Sequence, residues 1–288
     1  QVDEDVIAKV VADMTGIPVG KMVRDEAESI LRLEEELGRR LKGQPHVIEA
    51  VCRGIRAAKA GLKNPNTPMG VFLFVGPSGT GKTECALIVA DLLFGGEPFM
   101  TIINMSEFQE RHTVSRLIGS PPGYVGYGEG GVLTEAVRQR PYSVVLLDEV
   151  EKADLEVLNL FYQVFDKGML ADGEGRGIDF KNTIIFMTSN LASDIITQMC
   201  ASSNPPDAEE VTATIRPILS HHFRPALLAR MTIVPFFTIS PDAMKEIVSI
   251  KLNQLGRRLW DNHRMAFEYA PGVVEHIVAR CAEVETGA

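Results

Sequence analysis

The sequence predicts an α/β fold in which a five-stranded parallel sheet lies between helices and is followed by a truncated small helical subdomain. Five short apolar segments are separated by long helical or loop stretches. They lack the strict alternation of a half-exposed sheet, as expected for parallel strands that are covered on both faces. After the last segment, the apolar pattern takes on helical spacing.

The predicted strands cover residues 71–75, 99–104, 143–147, 183–188 and 231–234. A helix is predicted over residues 45–62, where apolar residues recur at helical spacing before a Pro-rich break. Ser240 followed by Pro241 is typical of an N-cap with Pro at the first helical position, and predicts a helix through Trp260. A second helix is predicted over residues 271–280.

These elements predict three regions: an N-terminal helical linker segment (1–42), a large α/β subdomain (43–238) and a truncated small helical subdomain (239–288). The first region carries charged helical patterns, for which a solvated helix or linker is the simplest interpretation. No internal repeat is visible.

Composition excludes several classes of protein. The formal net charge of −9 lacks the basic footprint that gives nucleic-acid affinity, so a nucleic-acid partner is disfavoured. The apolar runs are too short to cross a bilayer, and the acidic N-terminus is unlike a signal peptide. The four cysteines form neither a C-x-x-C pair nor a zinc-type cluster, which favours reduced, buried thiols. We therefore expect a cytoplasmic protein without a membrane partner.

A glycine-rich motif, G-x-x-x-x-G-K-[ST], follows the first predicted strand. It consists of Gly76, Pro77, Ser78, Gly79, Thr80, Gly81, Lys82 and Thr83. Glycines let backbone N–H groups converge on phosphate oxygens, and the helix that follows adds its positive dipole end. Lys82 would neutralise the β and γ phosphates, and Thr83 would place a hydroxyl on Mg²⁺. A fortuitous Gly-rich turn is the alternative, but the flanking strand and helix favour a nucleotide site.

Two adjacent carboxylates, Asp148 and Glu149, follow the third predicted strand, at the sheet edge where open α/β sheets bind ligands. Asp148 would hold Mg²⁺ directly or through water, and Glu149 would orient and deprotonate the attacking water. The simpler alternative is that Asp148 caps the next helix and Glu149 is merely exposed.

Two further polar residues are candidates for catalysis. Asn190 ends the fourth predicted strand, where it could contact the γ-phosphate or the attacking water, or simply form a turn. Phosphoryl transfer also needs positive charge, which a neighbouring subunit often supplies as an arginine. Arg230 is the candidate for that role, although spacing alone does not separate it from Arg224 or from a plain surface arginine.

Residues 118–127, which read Ile-Gly-Ser-Pro-Pro-Gly-Tyr-Val-Gly-Tyr, complete a wider pattern. Together with the two phosphate-site motifs and Asn190, they resemble the second AAA+ ring of the Clp/Hsp100 ATPases, over nearly the whole chain. The resemblance extends through residues 133–137, 140–144, 148–153 and 179–183. Residues 104–110, 164–168 and 225–228 are more similar to the ClpV branch, which serves bacterial type VI secretion, than to ClpB.

The resemblance implies an AAA+ P-loop NTPase that uses ATP and Mg²⁺ and forms a homohexamer around a central channel. It implies that Tyr124 and Val125 form the pore loop that grips a protein substrate, and that residues 109–113 form a second, polar loop. Arg230 aligns with the arginine finger that acts in trans. Ile17 and Val19, with residues 43–44, resemble segments that line the adenine pocket.

For the ClpV branch, the implied substrate is the type VI secretion sheath, whose subunits are extracted after contraction in the bacterial cytoplasm. Two departures matter. The family has a sensor arginine just past residue 288, so we expect the isolated chain to turn ATP over poorly. Residues 190–222 contain no Ile-Gly-Phe or Ile-Gly-Leu tripeptide, which argues against a ClpP-type peptidase partner.

Two alternatives stay open at this point. One is a ClpB-type general disaggregase. The other is a nucleotide-dependent assembly module that stabilises a ring with little turnover of its own. A small-molecule kinase is disfavoured by the loop around Tyr124 and by the adjacent Asp148 and Glu149.

Overall fold

The computed structural model describes residues 10–11, 32–124, 126–202, 206–270 and 272–283. Its strands are β1 (Gly70–Val75), β2 (Met100–Asn104), β3 (Val144–Asp148), β4 (Met169–Ala171), β5 (Gly177–Asp179), β6 (Ile184–Ser189) and β7 (Thr232–Pro235). Five of them form a parallel sheet in the order β2-β3-β6-β1-β7, and β4 pairs with β5 in a separate antiparallel ribbon.

Residues 10–11 are described in isolation, and the next described element is a helix over residues 32–40. The labelled helices are α1 (Pro45–Lys59), α2 (Lys82–Phe94), α3 (Val114–Ile118), α4 (Val132–Gln139), α5 (Leu155–Lys167), α6 (Ser193–Cys200), α7 (Ala208–His222), α8 (Pro225–Leu228), α9 (Pro241–His263) and α10 (Val273–Glu283). The first eight follow or flank the sheet strands, and α9 with α10 form the helical C-terminal subdomain, packed against each other.

The central strands are buried on both faces, as predicted for a parallel sheet. All six residues of β1 and of β6 are buried. On one face, Phe72, Phe74 and Phe186 pack with the apolar residues of α1 and α2. On the other face, Leu73 and Met187 belong to a second apolar cluster that includes residues of α5 and α7. The two layers fix the sheet between helices, which leaves its C-terminal edge to carry the polar residues.

The five predicted strands are confirmed, each within about one residue of its observed bounds. The predicted helix start at Pro241 is confirmed too, since the Ser240 hydroxyl accepts a hydrogen bond from the Ala243 N–H at 3.2 Å. The ribbon of β4 and β5 was not predicted. Its two strands have only three residues each, which is too short for the alternation that identifies a strand.

A single buried carboxamide connects the glycine-rich loop to the segment that leads into α9. Gln44 is fully buried, and its Nε2 donates to the Phe237 carbonyl at 2.8 Å and to the Thr80 carbonyl at 3.3 Å. Its Oε1 accepts from the Phe237 N–H at 3.1 Å. Gln44 therefore fixes the relative placement of the loop after β1 and the segment after β7.

The N-terminus of α5 is held by an acidic cap. Asp154 Oδ1 accepts a hydrogen bond from the Glu156 N–H at 2.8 Å. We expect Asp154→Ala to lower the free energy of unfolding by about 1 kcal/mol, because it leaves an unsatisfied helix-end donor. Urea denaturation would measure this. Asp154→Asn keeps an acceptor and is the matched control; equal stability of Asp154→Ala and the wild type would contradict the assignment.

The cysteine prediction is only partly right. Cys52 and Cys85 are free and buried, but Cys200 and Cys281 are free and half-buried. Cys200 lies at the end of α6, where it packs against the core cluster on one face of the sheet, and Cys281 lies on α10. In the part of the chain that the structure describes, none of the helices combines the length and the apolar character needed to cross a membrane.

Candidate functional site

A cavity of about 340 Å³ lies where the glycine-rich loop, the C-terminal ends of β3 and β6, and one face of α9 meet. This volume is within the range of small-molecule sites. The residues that line it are Arg40, Leu41, Lys42, Ser78, Gly79, Thr80, Gly81, Lys82, Thr83, Glu84, Asp148, Glu149, Thr188, Asn190, Ile239, Ile247, Ile250, Lys251 and Gln254. The predicted phosphate, metal and water residues thus converge on one space.

The loop at residues 76–83, called the phosphate loop below, needs its glycines for two reasons. A Cβ at Gly76 would lie 2.4 Å from the Phe236 carbonyl oxygen, so no side chain fits there. Gly81 has φ of 99°, in the left-handed region that favours glycine, immediately before α2 begins at Lys82. The loop therefore presents backbone N–H groups and the positive end of α2 to the cavity, which suits an anion.

The Lys82 ammonium is positioned by the strand ends around it. Its Nζ donates to the Gly76 carbonyl at 2.5 Å, to the Pro77 carbonyl at 2.7 Å and to Asn190 Oδ1 at 3.1 Å. Burial lowers the pKa of Lys82 to about 8, although the charges of Asp148 and Glu151 act in the opposite direction. Lys82 and Asp148 are thus close enough to interact electrostatically, as a shared nucleotide requires.

Asp148 and Glu149 have different environments. Thr188, on the neighbouring strand β6, donates its hydroxyl to Asp148 Oδ1 and accepts the Glu149 N–H at 3.0 Å. Glu149 has φ of 56°, a left-handed conformation that is uncommon for a non-glycine residue. Its Oε2 pairs with the Lys152 ammonium at 2.8 Å. The two carboxylates are therefore held by separate partners and can serve separate roles.

Asn190 is more than a turn residue. Besides its contact with Lys82, its backbone N–H donates to Glu151 Oε1 at 3.1 Å, which ties the end of β6 to the segment after β3. Its carbonyl also accepts from the Ser193 hydroxyl at 2.6 Å, as in an ordinary turn. The turn interpretation is thus observed, and Asn190 also lies on the cavity wall, where its contact with a γ-phosphate or an attacking water stays a prediction.

The donor set suits Mg²⁺ bound together with phosphates. The Thr83 hydroxyl and the Asp148 carboxylate both belong to the cavity wall. Within the described residues, no group of three or more His, Cys, Asp or Glu side chains could hold a metal by itself. Magnesium commonly takes one or two protein ligands and completes its shell with water and substrate phosphates. These residues therefore fit a metal that arrives with a nucleotide.

The small-subdomain wall of the cavity is not predicted by the sequence patterns. Ile247, Ile250, Lys251 and Gln254 lie on α9 at spacings of one helix face. Lys251 reaches across to Glu84, on the first turn of α2, with Nζ to Oε1 of 3.3 Å. The helical spacing could have indicated a shared face, but not what that face covers.

The other predicted residues lie elsewhere or outside the described residues. Ile17, Val19 and Val125 fall on residues that the structure does not describe. Tyr124 is 70% exposed, on a loop whose ends are joined by a bridge between Gly119 and Gly130. The Arg230 side chain contacts Asp166 and does not line the cavity.

The family resemblance predicts that the Gly43-Gln44 segment lies at an adenine pocket. Neither residue is among the described residues that line the cavity; their neighbours Arg40, Leu41 and Lys42 are. Gln44 instead uses both of its Nε2 hydrogens and its Oε1 on backbone groups of Thr80 and Phe237. Its observed position is therefore structural, beside the cavity.

Comparisons with known proteins agree with this geometry. Residues 67–234 match the family model described as AAA domain (Cdc48 subfamily), and residues 239–288 match the C-terminal, D2-small domain of ClpB protein. The chain is 51% identical over 99% of its length to the AAA+ ATPase ClpV1 of Pseudomonas aeruginosa. It is 50% identical over its full length to the chaperone protein ClpB of Yersinia enterocolitica. The chain covers 32% of each of these two proteins, about a third of their length.

Solved structures of Hsp104 are similar over the whole fold. A closed state of Hsp104 with ATPγS and FITC casein superposes with a TM-score of 0.85 at 37% identity, covering 100% of this chain and 49% of that one. The complex of Saccharomyces cerevisiae Hsp104 with ADP gives a TM-score of 0.82 at 38% identity, covering 98% and 48%. The family match, the parallel sheet and the convergent phosphate-site residues have one explanation: the chain is a nucleotide-binding ATPase domain that belongs to the Clp/Hsp100 family of AAA+ ATPases, as a second ATPase domain with its small subdomain.

Proposed function

We propose that this chain is the ATP-hydrolysing module of a hexameric motor that threads protein substrates through its central channel. The observation that carries this proposal is the convergence of Lys82, Asp148, Glu149 and Asn190 on one cavity at the sheet edge. Lys82 binds the β and γ phosphates, while Thr83 and Asp148 hold Mg²⁺.

The residues of the cavity divide the work of hydrolysis. Thr83 and Asp148 would hold Mg²⁺ with the nucleotide, where the ion would supply positive charge to the phosphates. Glu149 orients the attacking water and accepts its proton, and Asn190 holds that water or the γ-phosphate in position. Arg230, which lies outside its own cavity, supplies positive charge to the neighbouring subunit's nucleotide. Contact with a neighbouring subunit is therefore required for full activity.

Tyr124 contacts the substrate in this proposal. Tyr124 is 70% exposed, so its ring presents an apolar surface that the described residues leave open to a substrate. Gly123 and Gly126 flank it with φ of 90° and 85°, so the loop can take conformations closed to other residues.

For the full-length protein, we propose disassembly of the contracted type VI secretion sheath in the bacterial cytoplasm, without a ClpP-type peptidase. The similarity to ClpV1 and the branch-specific residues 104–110, 164–168 and 225–228 support this choice. The nearly equal identity to ClpB, 50% against 51%, keeps general disaggregation as the second candidate.

The test uses the full-length protein with ATP and contracted sheath tubules, followed by light scattering. We expect the wild type to shorten the tubules, Tyr124→Ala to lose this activity, and Tyr124→Phe to retain it because the ring is kept. Tyr269→Ala, which removes another exposed tyrosine, is the matched control. Sheath disassembly by Tyr124→Ala at the wild-type rate would contradict the role of Tyr124.

A parallel assay separates the two candidates. Heat-aggregated enzyme is incubated with the full-length protein and Hsp70 partners, and recovered activity is measured. A sheath-specific motor recovers none, whereas a ClpB-type disaggregase recovers activity. If neither substrate responds and phosphate release is absent even from assembled rings, the chain is a ring-assembly module instead.

A further inference from the structure

The side chain of Arg230 is held in one orientation by its own subunit. Its Nε and Nη2 both donate to Asp166 Oδ1, at 3.0 Å and 2.7 Å. Its Nη1 donates to the Ala226 carbonyl at 2.8 Å. The guanidinium carbon lies 4.2 Å from the centroid of the Tyr162 ring, in a cation–π contact.

These contacts restrict the guanidinium without enclosing it. A guanidinium has five N–H donors, and the bonds to Asp166 and Ala226 use three of them. The Arg230 side chain is still 28% exposed. Contacts from α5 and α8 therefore set the plane of the Arg230 guanidinium. Its remaining N–H donors can bind an anion that approaches from outside the subunit.

Asp166 occupies a position where a carboxylate is otherwise unfavourable. It lies in the last turn of α5, at the negative end of the helix dipole. A nearby guanidinium compensates for this placement, and Arg230 comes from a segment 64 residues further along the chain. The pair thus connects the end of α5 to the loop before β7.

We propose that Asp166, supported by Tyr162, is a positioning residue that pre-orients Arg230 for the neighbouring subunit's nucleotide. This inference rests on the proposed role of Arg230 in trans. A free arginine side chain loses rotamer entropy when it is ordered at a phosphate, and a side chain that is already ordered avoids much of that cost. Asp166 therefore acts on turnover through Arg230, and does not contact nucleotide itself.

The first test compares two substitutions in the full-length ring. Asp166→Ala removes the acceptor for Arg230. We expect the kcat for ATP hydrolysis by this ATPase domain to fall about tenfold at a nearly unchanged KM. Asp166→Asn keeps an acceptor oxygen without the charge, and should retain at least a third of the wild-type rate. If Asp166 merely neutralised Arg230, both substitutions would raise turnover, and that outcome would overturn the inference.

Arg230→Ala separates the inference from the proposal on which it rests. If Arg230→Ala leaves turnover unchanged, Arg230 is not the trans-acting residue and the proposed function is wrong on this point. If Arg230→Ala abolishes turnover while Asp166→Ala does not affect it, only the positioning role is wrong. Tyr162→Leu removes the ring face but keeps the ion pair, and should give an intermediate decrease.

Mixed rings supply a measurement that simple misfolding would not reproduce. An Asp166→Ala subunit has an intact cavity and an impaired Arg230, whereas a Glu149→Gln subunit has the reverse. If Arg230 acts in trans, mixing the two before assembly lets an Asp166→Ala site that lies next to a Glu149→Gln subunit use that neighbour's intact Arg230. We expect turnover per Asp166→Ala subunit to rise several-fold over the pure Asp166→Ala ring. No rise, with mixed rings verified by sedimentation, would contradict the inference.

Discussion

Glu149→Gln is expected to leave nucleotide binding intact and to reduce ATP hydrolysis by about 10²–10⁴-fold in the assembled full-length ring, the usual contribution of a general base. The substitution keeps the size and the hydrogen-bonding reach of the side chain but removes its ability to accept a proton. It also removes the ion pair with Lys152. Since Asp148, Thr188 and Lys82 keep their own contacts, the phosphate and metal residues stay in place.

Phosphate release by full-length rings would measure this effect. The part of the total turnover that Lys82→Met removes is taken as the contribution of this ATPase domain. A fluorescent ATP analogue would report binding separately. Glu156→Gln changes an exposed glutamate on α5 in the same way and should behave as the wild type. Wild-type turnover in Glu149→Gln would remove Glu149 from its assigned role and favour the ring-assembly alternative.

Lys82→Met is expected to weaken nucleotide binding by about 30- to 4,000-fold, the range for losing one member of a buried charge pair. The Lys82 ammonium is buried. It lies between the phosphate loop and Asn190, and it donates hydrogen bonds to both. Lys251→Met is the matched control. It removes a cation from the opposite wall of the same cavity, where Lys251 is 55% exposed and its charge is screened by solvent.

The pH dependence of binding gives a second check on the same residue. The pKa of Lys82 is about 8 because of burial, so the ammonium is protonated below pH 8 and loses its proton as the pH rises above it. Phosphates bind the protonated form. Affinity should therefore be flat below about pH 8 and fall by up to tenfold per pH unit above it, until the pKa of the complex is reached.

Titration with a fluorescent ADP between about pH 7 and 10 would measure this slope. Lys82→Arg retains its charge over this whole range and should flatten the profile, whatever its absolute affinity. A wild-type affinity that does not change with pH, or one that rises above pH 8, would contradict the assignment of Lys82 as the phosphate-binding cation.

The sheet was predictable because its strands are short, apolar and covered on both faces. Phe72, Phe74 and Phe186 show this pattern directly in the sequence. The phosphate loop was predictable because its chemistry is local. Gly76 through Thr83 are consecutive, and Asp148 and Glu149 follow a strand whose end must lie at the same sheet edge.

The remaining features depend on contacts between distant segments. Lys251 reaches Glu84 across 167 residues of sequence, and Arg230 reaches Asp166 across 64. No local spacing predicts such pairs, because the packing of α9 and of the loop before β7 decides them. The ribbon of β4 and β5 is likewise defined by pairing rather than by pattern.

The carboxamide of Gln44 has a consequence for how the two subdomains communicate. One planar group bonds both to the Thr80 carbonyl and to the Phe237 backbone. A displacement of either of these two segments therefore strains the hydrogen bonds to the other. The phosphate loop and the segment that leads into α9 are therefore coupled through one side chain. A shift of the phosphate loop around a bound triphosphate would reach the start of the C-terminal helices through Gln44.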